Sequence, residues 1–457
     1  MAAIAENVES GASGGDRNNK VRGDDAESGS HCSSSEHSSF SRSAFYSNGE
    51  RLSIAPMMAV TDRWYRYMMR MVTRRTWLWT EMVVDDTILH YEDTERLLGF
   101  EEVQHPICLQ LGGSRPDVLA EAASICLPFG YDEMNLNCGC PSNRVANKRC
   151  FGARLMLDPE QVRKICHAVN RRVSHSIGSI TCKCRLGADD KDSFDNLRTF
   201  VGTVAQAGVR RFYVHARKCL LDGLSTNQNR SIPPLRPHWI HALQREFPDL
   251  EFSLNGGVKT LDEVESHLAC NAATCECAGR KLLSCSVPGK DYPKEEEEDD
   301  CDDATSAMSR LDLNGDSHGD LRLSGVMVGR AAYQTPWIFA DADRRIFGDK
   351  NPGLSRREIV QEYTDYAVGV QEKYGYHVNT KRKKLIALED GAVASKGGVP
   401  VADLCKPLLG LFKGAKGGRA FRRTINQLTN EAGKIEIGPI ISRAVAEIDD
   451  DALDERF

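Results

Sequence analysis

The stretch YDEMNLNCGCP, residues 131–141, decides the fold class of this chain. Its first residues are typical of a strand, after which Gly139 permits a tight turn and Pro141 ends backbone pairing. The thiol of Cys140 is therefore held at the carboxyl end of a strand. The segment DPEQVRKICHAVNRRV (158–173) follows, with the spacing of an amphipathic helix and an aspartate in capping position. A strand followed by a helix predicts an α/β protein with parallel strands.

The same unit recurs along the chain from about residue 52 to about residue 345. The eight strand candidates are RLSIAPMMA, TWLWTEMVV, PICLQLGG, YDEMNLNCG, SITCKCRLG, RRFYVHARK, EFSLNGGV and SGVMVGRAA. Helical segments such as RPDVLAEAASICLP, SFDNLRTFVGTVAQAG and TLDEVESHLA separate them. Eight such units over about 250 residues predict a closed (β/α)8 TIM barrel rather than an open sheet, with the reactive groups at the rim formed by the strand ends.

Composition divides the chain into regions. Residues 1–48, rich in Ser, Gly and charge, predict a disordered tail, and residues 49–348 form the predicted barrel domain. A low-complexity insertion with several cysteines and the acidic run KEEEEDDCDD interrupts the barrel at 270–322. Residues 353–440 predict a helical domain, and residues 441–457 an acidic C-terminal tail. Charge is segregated, because residues 371–423 hold twelve Lys or Arg against four Asp or Glu although the net charge is -6.

Bulk properties exclude several classes of protein. The chain has 457 residues, 41% of them hydrophobic, and no window of about 20 uncharged apolar residues that would predict a membrane helix. The first residues lack the apolar core of a secretory signal and carry acids that import sequences avoid. Sixteen cysteines in a chain of this size predict reduced thiols in the cytoplasm, with an organelle left open. We expect a monomer that does not bind a membrane.

Several residues at predicted strand ends are candidates for chemistry. Gln110, Lys183, His215 and Asn255 together form a donor set suited to the polar edge and phosphate of a flavin, although a lone histidine is more often structural. LNGGV (254–258) and MVGRAAY (327–333) end the last two strands with glycines before helix starts, where barrels hold phosphate on backbone N–H groups.

The cysteines allow a second interpretation. Cys138 is expected to be a small buried hydrophobe, unlike Cys140. The cysteines of the insertion are candidates for a metal site. The C-x-C pairs lack the usual zinc spacing, however, and no metal is predicted. The four cysteines concerned are Cys270, Cys275, Cys277 and Cys285.

In combination these motifs resemble the tRNA-dihydrouridine synthases. The resemblance is carried by IAPMMAVTDRWYR, LQLGGS, NLNCGCPSNRV, CKCRLG, VHARK, LNGGV and VMVGRAAY, from about residue 52 to 345 and more loosely to 435. GLSTNQNRSIPPLRP and LLGLFKGAKGGRAFRR resemble the bacterial-type A class, which acts on D-loop positions 20 and 20a of tRNA. The insertion and KRKKLIALEDGAVASKGG contain none of the motifs that carry the resemblance.

The resemblance implies FMN as cofactor, NADPH as electron donor and reduction of the C5–C6 double bond of uracil, with Cys140 as proton donor. The residues that it assigns to FMN are Pro56, Met57, Met58, Gln110, Lys183, His215, Asn255, Gly256, Gly257, Gly329 and Arg330. Those that it assigns to tRNA are Asn137, Asn227, Arg230, Arg419 and Arg422. Phosphate contacts are also expected from Arg185, Arg217 and Lys218 at the rim.

Two alternatives remain at this point. One is an FMN-dependent small-molecule ene or dihydropyrimidine reductase, and the other is a non-catalytic RNA-binding module. The basic C-terminal region favours an enzyme that acts on RNA, because a uracil within folded tRNA must be flipped out while the protein grips the surrounding RNA.

Overall fold

The computed structural model of the 457-residue chain describes residues 50–142, 145, 150–272, 321–376, 398–431 and 436–457. These residues belong to one compact unit. The predicted tail at 1–48 and all but the ends of the predicted insertion at 270–322 lie outside the described residues.

Eight strands follow one another along the chain, each within a stretch that the sequence predicts as a strand. They are β1 (Leu52–Ile54), β2 (Leu78–Val84), β3 (Ile107–Gly112), β4 (Glu133–Asn137), β5 (Thr181–Arg185), β6 (Arg211–His215), β7 (Glu251–Asn255) and β8 (Gly325–Val328). Strands β3 and β4 are buried along their whole length, as expected where a parallel sheet is covered on both faces.

All strand pairs are parallel, and the sheet closes on itself. The order is β1-β8-β7-β6-β5-β4-β3-β2, so β1 lies beside both the last strand and the second. Ile54 donates its N–H to the Trp77 carbonyl at 2.9 Å, and Trp77 donates to the Leu52 carbonyl at 3.0 Å, which joins β1 to the residue just before β2. The predicted (β/α)8 barrel is confirmed.

Helices surround the barrel where the apolar spacing predicts them. They are α1 (Arg63–Val72), α2 (Asp85–His90), α3 (Thr94–Leu98), α4 (Pro116–Cys126), α5 (Pro159–Ile177), α6 (Phe194–Ala205), α7 (His238–Glu246), α8 (Leu261–Ala269) and α9 (Arg330–Gln334). Short 3-10 turns lie at Glu102–Gln104, Leu127–Phe129, Gly152–Leu157 and Gln228–Arg230. Asp158, Ser193 and Thr260 cap α5, α6 and α8 by accepting a backbone N–H through the side chain, which fixes where each helix begins.

The C-terminal region is helical and packs on the barrel. It contains the turns Pro336–Phe339, Asp343–Phe347 and Lys406–Gly410 and the helices α10 (Arg356–Tyr374), α11 (Val401–Cys405), α12 (Gly418–Asn430), α13 (Ile437–Val445) and α14 (Asp450–Asp454). The Tyr366 ring of α10 stacks on Tyr67 of α1 with 3.6 Å between centroids, and the Tyr366 hydroxyl donates to Glu101 at 2.9 Å. These contacts pack α10 against α1, the first helix of the barrel.

The prediction of an acidic tail from residue 441 is wrong. Ile440 and Ile441 of α13 are both buried, so the predicted boundary falls inside one helix. Leu453 of α14 is buried as well. The acids of this segment face arginines of α10, because Arg357 lies 2.6 Å from Asp450 and 2.7 Å from Asp454. The spaced apolar residues bury a helix face despite the high charge of the segment.

Within the described part of the chain, no helix is both long enough and apolar enough to cross a membrane.

The N-terminal ends of the strands hold a buried acidic cluster, the floor of the barrel. Glu50, just before β1, and Glu133, the first residue of β4, both accept a hydrogen bond from the Tyr213 hydroxyl. Arg211, the first residue of β6, lies 3.3 Å from Glu133 and 3.6 Å from Glu50. Burial and the neighbouring Glu133 raise the pKa of Glu50 well above its usual value. These buried acids lie beside one guanidinium and the hydroxyl donors of Tyr213 and Thr181.

Candidate active site

The carboxyl ends of the strands open into a cavity of about 510 Å³, within the size range of small-molecule and cofactor sites. All eleven residues that the resemblance assigns to FMN line it, and so do Cys140, Asn137 and Arg230. They come from β1, β3 to β8 and the loops that follow these strands. Asn227, Arg419 and Arg422 do not line it.

The lining of the cavity is strongly cationic. Lys183, Arg185, Arg230, Lys259, Arg330 and Lys413 line it together with His215. Among the described lining residues there is no aspartate or glutamate. None of the six cations forms an ion pair with a described residue. Four of them donate hydrogen bonds to side-chain amides or backbone carbonyls, namely Lys183, Arg185, Arg230 and Arg330. Cations without acids in a partly enclosed cavity favour an anionic ligand.

Two of these groups, Lys183 and His215, are half-buried on β5 and β6. Lys183 Nζ donates to Asn255 Oδ1 at 3.1 Å. Burial and the nearby Arg185 lower the pKa of Lys183 to about 8, so the ammonium is still mostly charged at pH 7. Burial and the positive charges of Arg185 and Lys183 lower the pKa of His215 well below its usual value, so its imidazole is neutral.

Glycines bring the backbone of the last two strand ends close to the cavity. Gly256 and Gly257 have φ of +111° and +82°, in the region that favours glycine. A Cβ at Gly256 would lie 2.7 Å from His215 Cδ2, and one at Gly257 would lie 2.8 Å from Leu235. Asn255 also donates to the Met327 carbonyl at 2.8 Å, which holds β7 against β8. The backbone N–H groups of this corner, together with Arg330, suit a phosphate.

The loop that carries Cys140 is held by side-chain hydrogen bonds. Asn137 Oδ1 accepts from the N–H of Gly139 at 3.1 Å and from that of Cys140 at 2.9 Å. The Cys140 carbonyl accepts from Ala153 at 2.9 Å. Cys140 is half-buried and lines the cavity, whereas Cys138 is fully buried in the core, as the sequence predicts for both.

Arg185 lies deeper than the sequence predicts. It is 2% exposed, and its guanidinium donates to the carbonyls of Gly139 at 2.8 Å, Lys218 at 3.1 Å and Asn229 at 3.0 Å. Burial lowers its pKa to about 10. Lys218 is paired with Asp192 at 2.7 Å, and Arg217 donates to the carbonyls of Ser231 and Pro233. Arg185 therefore lines the cavity from the interior rather than from the exposed rim where it was expected, and its guanidinium joins three loops.

The residues predicted to contact tRNA lie at different places. Arg230 lines the cavity and donates to Asn227 Oδ1 at 3.3 Å, so Asn227 lies just behind it. Arg419 is exposed and Arg422 half-buried, both on α12 and outside the cavity. The structure groups Arg230 with the cavity and separates the two α12 arginines from it.

Other lining residues were not singled out from the sequence. Met82 follows an irregularity in the register of β2, and Lys259 follows the glycines of the β7 end. Lys413 reaches the cavity from the helical C-terminal region, and Gln334 from the end of α9. The position of Lys259 directly behind LNGGV is a signal that could have identified it. Lys413 has no such signal, because it reaches the cavity only through tertiary packing.

Comparison with known proteins agrees with this geometry. A family model described as dihydrouridine synthase (Dus) matches residues 53–286 and 317–446. The tRNA-dihydrouridine(20/20a) synthase of Synechocystis is 38% identical over 76% of this chain and 86% of its own length. The protein of the same name from Pseudomonas putida is 36% identical over 84% of this chain and 90% of its own length.

A solved structure, that of an old yellow enzyme homologue from Zymomonas mobilis, is 11% identical over 65% of this chain and 88% of that one, with a TM-score of 0.35. The family assignment therefore depends on the sequence matches, which extend over most of the barrel and the helical region. By these matches the chain belongs to the dihydrouridine synthase family and is an oxidoreductase.

Proposed function

We propose that this protein is a flavin-dependent tRNA-dihydrouridine synthase that reduces the C5–C6 double bond of uridines at D-loop positions 20 and 20a. The cofactor proposed is FMN, and the electron donor is NADPH. The observation that carries the proposal is the half-buried thiol of Cys140 in a cavity lined by cations and strand-end glycines. The names of the relatives support tRNA as the substrate.

The residues present fit FMN. The isoalloxazine would lie beside Pro56, Met57 and Met58, with Gln110 and Lys183 at its polar edge. The phosphate would take the backbone of Gly256, Gly257 and Gly329 with Arg330. When bound, FMN would supply the hydride for C6 of uracil, with NADPH as the source of the electrons.

The protein itself supplies the proton. The S–H bond of Cys140 breaks as a C–H bond forms at C5 of uracil, and the thiolate then recovers a proton from solvent. Lys183 keeps a positive charge beside the site at neutral pH, which favours a ligand that gains negative charge. His215 is neutral there and can act only as a hydrogen-bonding partner.

RNA binding is assigned to the cations at and around the cavity. Arg230, Arg330 and Lys413 would contact the phosphates next to the flipped uridine, and Arg419 and Arg422 the rest of the tRNA. We also propose that the protein acts as a monomer in the cytoplasm.

The test is a purification followed by an assay. The purified protein should be yellow with the absorbance of bound FMN, and it should restore dihydrouridine at positions 20 and 20a in tRNA from a strain that lacks the activity, as read by mass spectrometry. A colourless protein that does not take up FMN would contradict the proposal. Reduction of free uracil but not of tRNA would favour the small-molecule reductase instead.

A further inference from the structure

A chain of hydrogen bonds runs through the barrel interior from the loop that carries Cys140 to the floor. The Cys140 N–H donates to Asn137 Oδ1 at 2.9 Å, and Asn137 Nδ2 donates to Gln110 Oε1 at 2.7 Å. Gln110 Nε2 donates to Asn135 Oδ1 at 3.1 Å. Asn137, Gln110 and Asn135 are all buried, and Asn135 is fully so.

The chain ends on a carboxylate. Asn135 Nδ2 donates to Thr181 Oγ1 at 2.8 Å, and the Thr181 hydroxyl donates to Glu133 Oε1 at 2.5 Å. Every donor in this chain of hydrogen bonds therefore points away from the cavity at the carboxyl ends of the strands, the mouth of the barrel, and toward the floor. Because the Thr181 hydroxyl donates its one proton to Glu133, it can only accept in its hydrogen bond with Asn135. The Asn135 amide nitrogen must therefore face Thr181, and this sets the orientation of the Gln110 and Asn137 amides in turn.

We propose that Asn135 is a positioning residue for the reaction: it fixes the Gln110 amide, which in turn holds Asn137 and the loop of Cys140. Asn135 lies on β4 between the floor and the mouth and does not line the cavity. It therefore acts through Gln110 rather than on substrate. The proposal rests on the proposed function in taking Cys140 as the reacting group.

The loss of Asn135 would leave the Gln110 Nε2 group without its buried acceptor. Gln110 would then turn to find another partner, and Asn137 would lose the acceptor for its own amide. Asn137 Oδ1 holds two consecutive backbone N–H groups of the loop, so a shift of this side chain moves the Cys140 thiol. Misplacement of a reacting group lowers the rate of the chemical step more than it lowers substrate binding.

The experiment compares Asn135→Ala with Asn170→Ala in the full-length protein. Asn170 on α5 is also a buried amide with two hydrogen bonds, to Ala207 at 2.8 Å and from Ile180 at 2.7 Å, but it lies outside the cavity. The rate at which iodoacetamide alkylates Cys140 is followed by mass spectrometry of its peptide, without FMN. Asn135→Ala should raise this rate about fivefold, as expected for the loss of a buried hydrogen bond, and Asn170→Ala should not.

Kinetics give a second readout. With bound FMN, Asn135→Ala should lower kcat per flavin about tenfold and leave the KM for tRNA within about twofold of the wild type. A purely structural role would raise the alkylation of buried cysteines such as Cys182 together with that of Cys140, and this result would overturn the proposal. Equal alkylation of Cys140 in Asn135→Ala and Asn170→Ala would do the same.

A double-mutant cycle tests the route through Gln110. If Asn135 acts through Gln110, the effect of Asn135→Ala on Cys140 alkylation should disappear in a Gln110→Ala background, whereas additive effects would refute it. If Asn135→Ala does not fold, Thr181→Val removes the acceptor of Asn135 Nδ2 and should raise the alkylation rate by a smaller factor; no change would count against the proposal. The alkylation readout needs no flavin, so a wild-type protein without FMN would refute the proposed function alone.

Discussion

The two ends of the barrel carry charged side chains of opposite sign. At the floor, the carboxylates of Glu50 and Glu133 are matched by Arg211 and the Tyr213 hydroxyl. At the mouth, six cations line a cavity without an aspartate or glutamate among its described residues. Both ends are built on the same strands, so their difference does not come from the backbone. The floor places a cation and hydroxyl donors beside buried acids, whereas the cations at the mouth have no acid among the described lining residues and leave a site for an anionic ligand.

The largest effect is expected at the thiol of the mouth. Cys140→Ala removes the proposed proton donor and should lower the rate of dihydrouridine formation about 1000-fold, within the range for general acid catalysis. The FMN absorbance should be unchanged, because the thiol is not assigned to flavin binding. The measurement is single-turnover reduction of tRNA.

Cys138→Ala is the matched control, two residues away in the buried core. It should keep the rate of tRNA reduction within about twofold, since the lost packing affects stability rather than chemistry. Equal losses of rate in the two variants would show that tRNA reduction does not depend on a proton donor at residue 140.

The next effect is on stability and concerns the floor. Arg211→Met leaves the buried carboxylates without their cation and should lower the free energy of unfolding by about 3–5 kcal/mol. The measurement is urea unfolding at pH 7. Arg198, which is 42% exposed and pairs with Asp195 and Glu246, is the control, and Arg198→Met should cost less than about 1 kcal/mol. Similar costs for both arginines would remove the distinction between floor and surface.

A smaller effect should appear in the pH dependence of FMN binding. The ligand-free protein has a Lys183 pKa of about 8, lowered chiefly by burial, and an anionic ligand favours the protonated form. The affinity for FMN should therefore be constant below pH 8 and fall above it, by at most about tenfold per pH unit. Fluorescence titration between pH 7 and 9.5 measures this. Lys183→Arg stays charged and should flatten the profile; an unchanged fall would assign the titration to another group.

The smallest effect distinguishes two lysines of the same loop. Lys413 lines the cavity, and Lys416 is paired with Asp449 at 2.6 Å. Lys413→Met should raise the KM for tRNA about threefold to tenfold. The slope of the logarithm of tRNA affinity against the logarithm of salt concentration should become shallower by about 1, as expected for the loss of one phosphate contact. Lys416→Met should change both much less. A larger effect at Lys416 would show that the RNA approaches from the other side of this loop.

The sequence alone predicted the fold, and it placed at the strand ends the residues that are proposed to carry the chemistry. Each strand is a short apolar run, and the residue types that bind anions or carry protons follow these runs directly, as at Asn137, His215 and Asn255. Because parallel strands end on one rim, such residues must come together once the barrel closes. This is why all the predicted flavin residues line one cavity.

The acidic tail and Arg185 show where sequence reasoning failed. Charge density concealed the apolar face of α13 and α14, which is buried only because α10 supplies both an apolar surface and arginines for the acids. Arg185 was expected at the rim together with Arg217 and Lys218, as a phosphate contact. Three backbone carbonyls from separate loops satisfy it in the interior, and no local pattern records their positions.

The order and spacing of residues thus predicted the barrel and the position of Cys140 at a strand end, since these follow from strand periodicity and parallel topology. The family resemblance named the residues proposed to face the flavin. Only the tertiary structure decided that Lys413 reaches the cavity, that Lys183 and His215 have lowered pKa values, and that three buried amides connect the floor to the loop of Cys140. The physical reason is that burial, electrostatic fields and hydrogen bonds between distant strands depend on distances in the folded chain, which separation along the sequence does not specify.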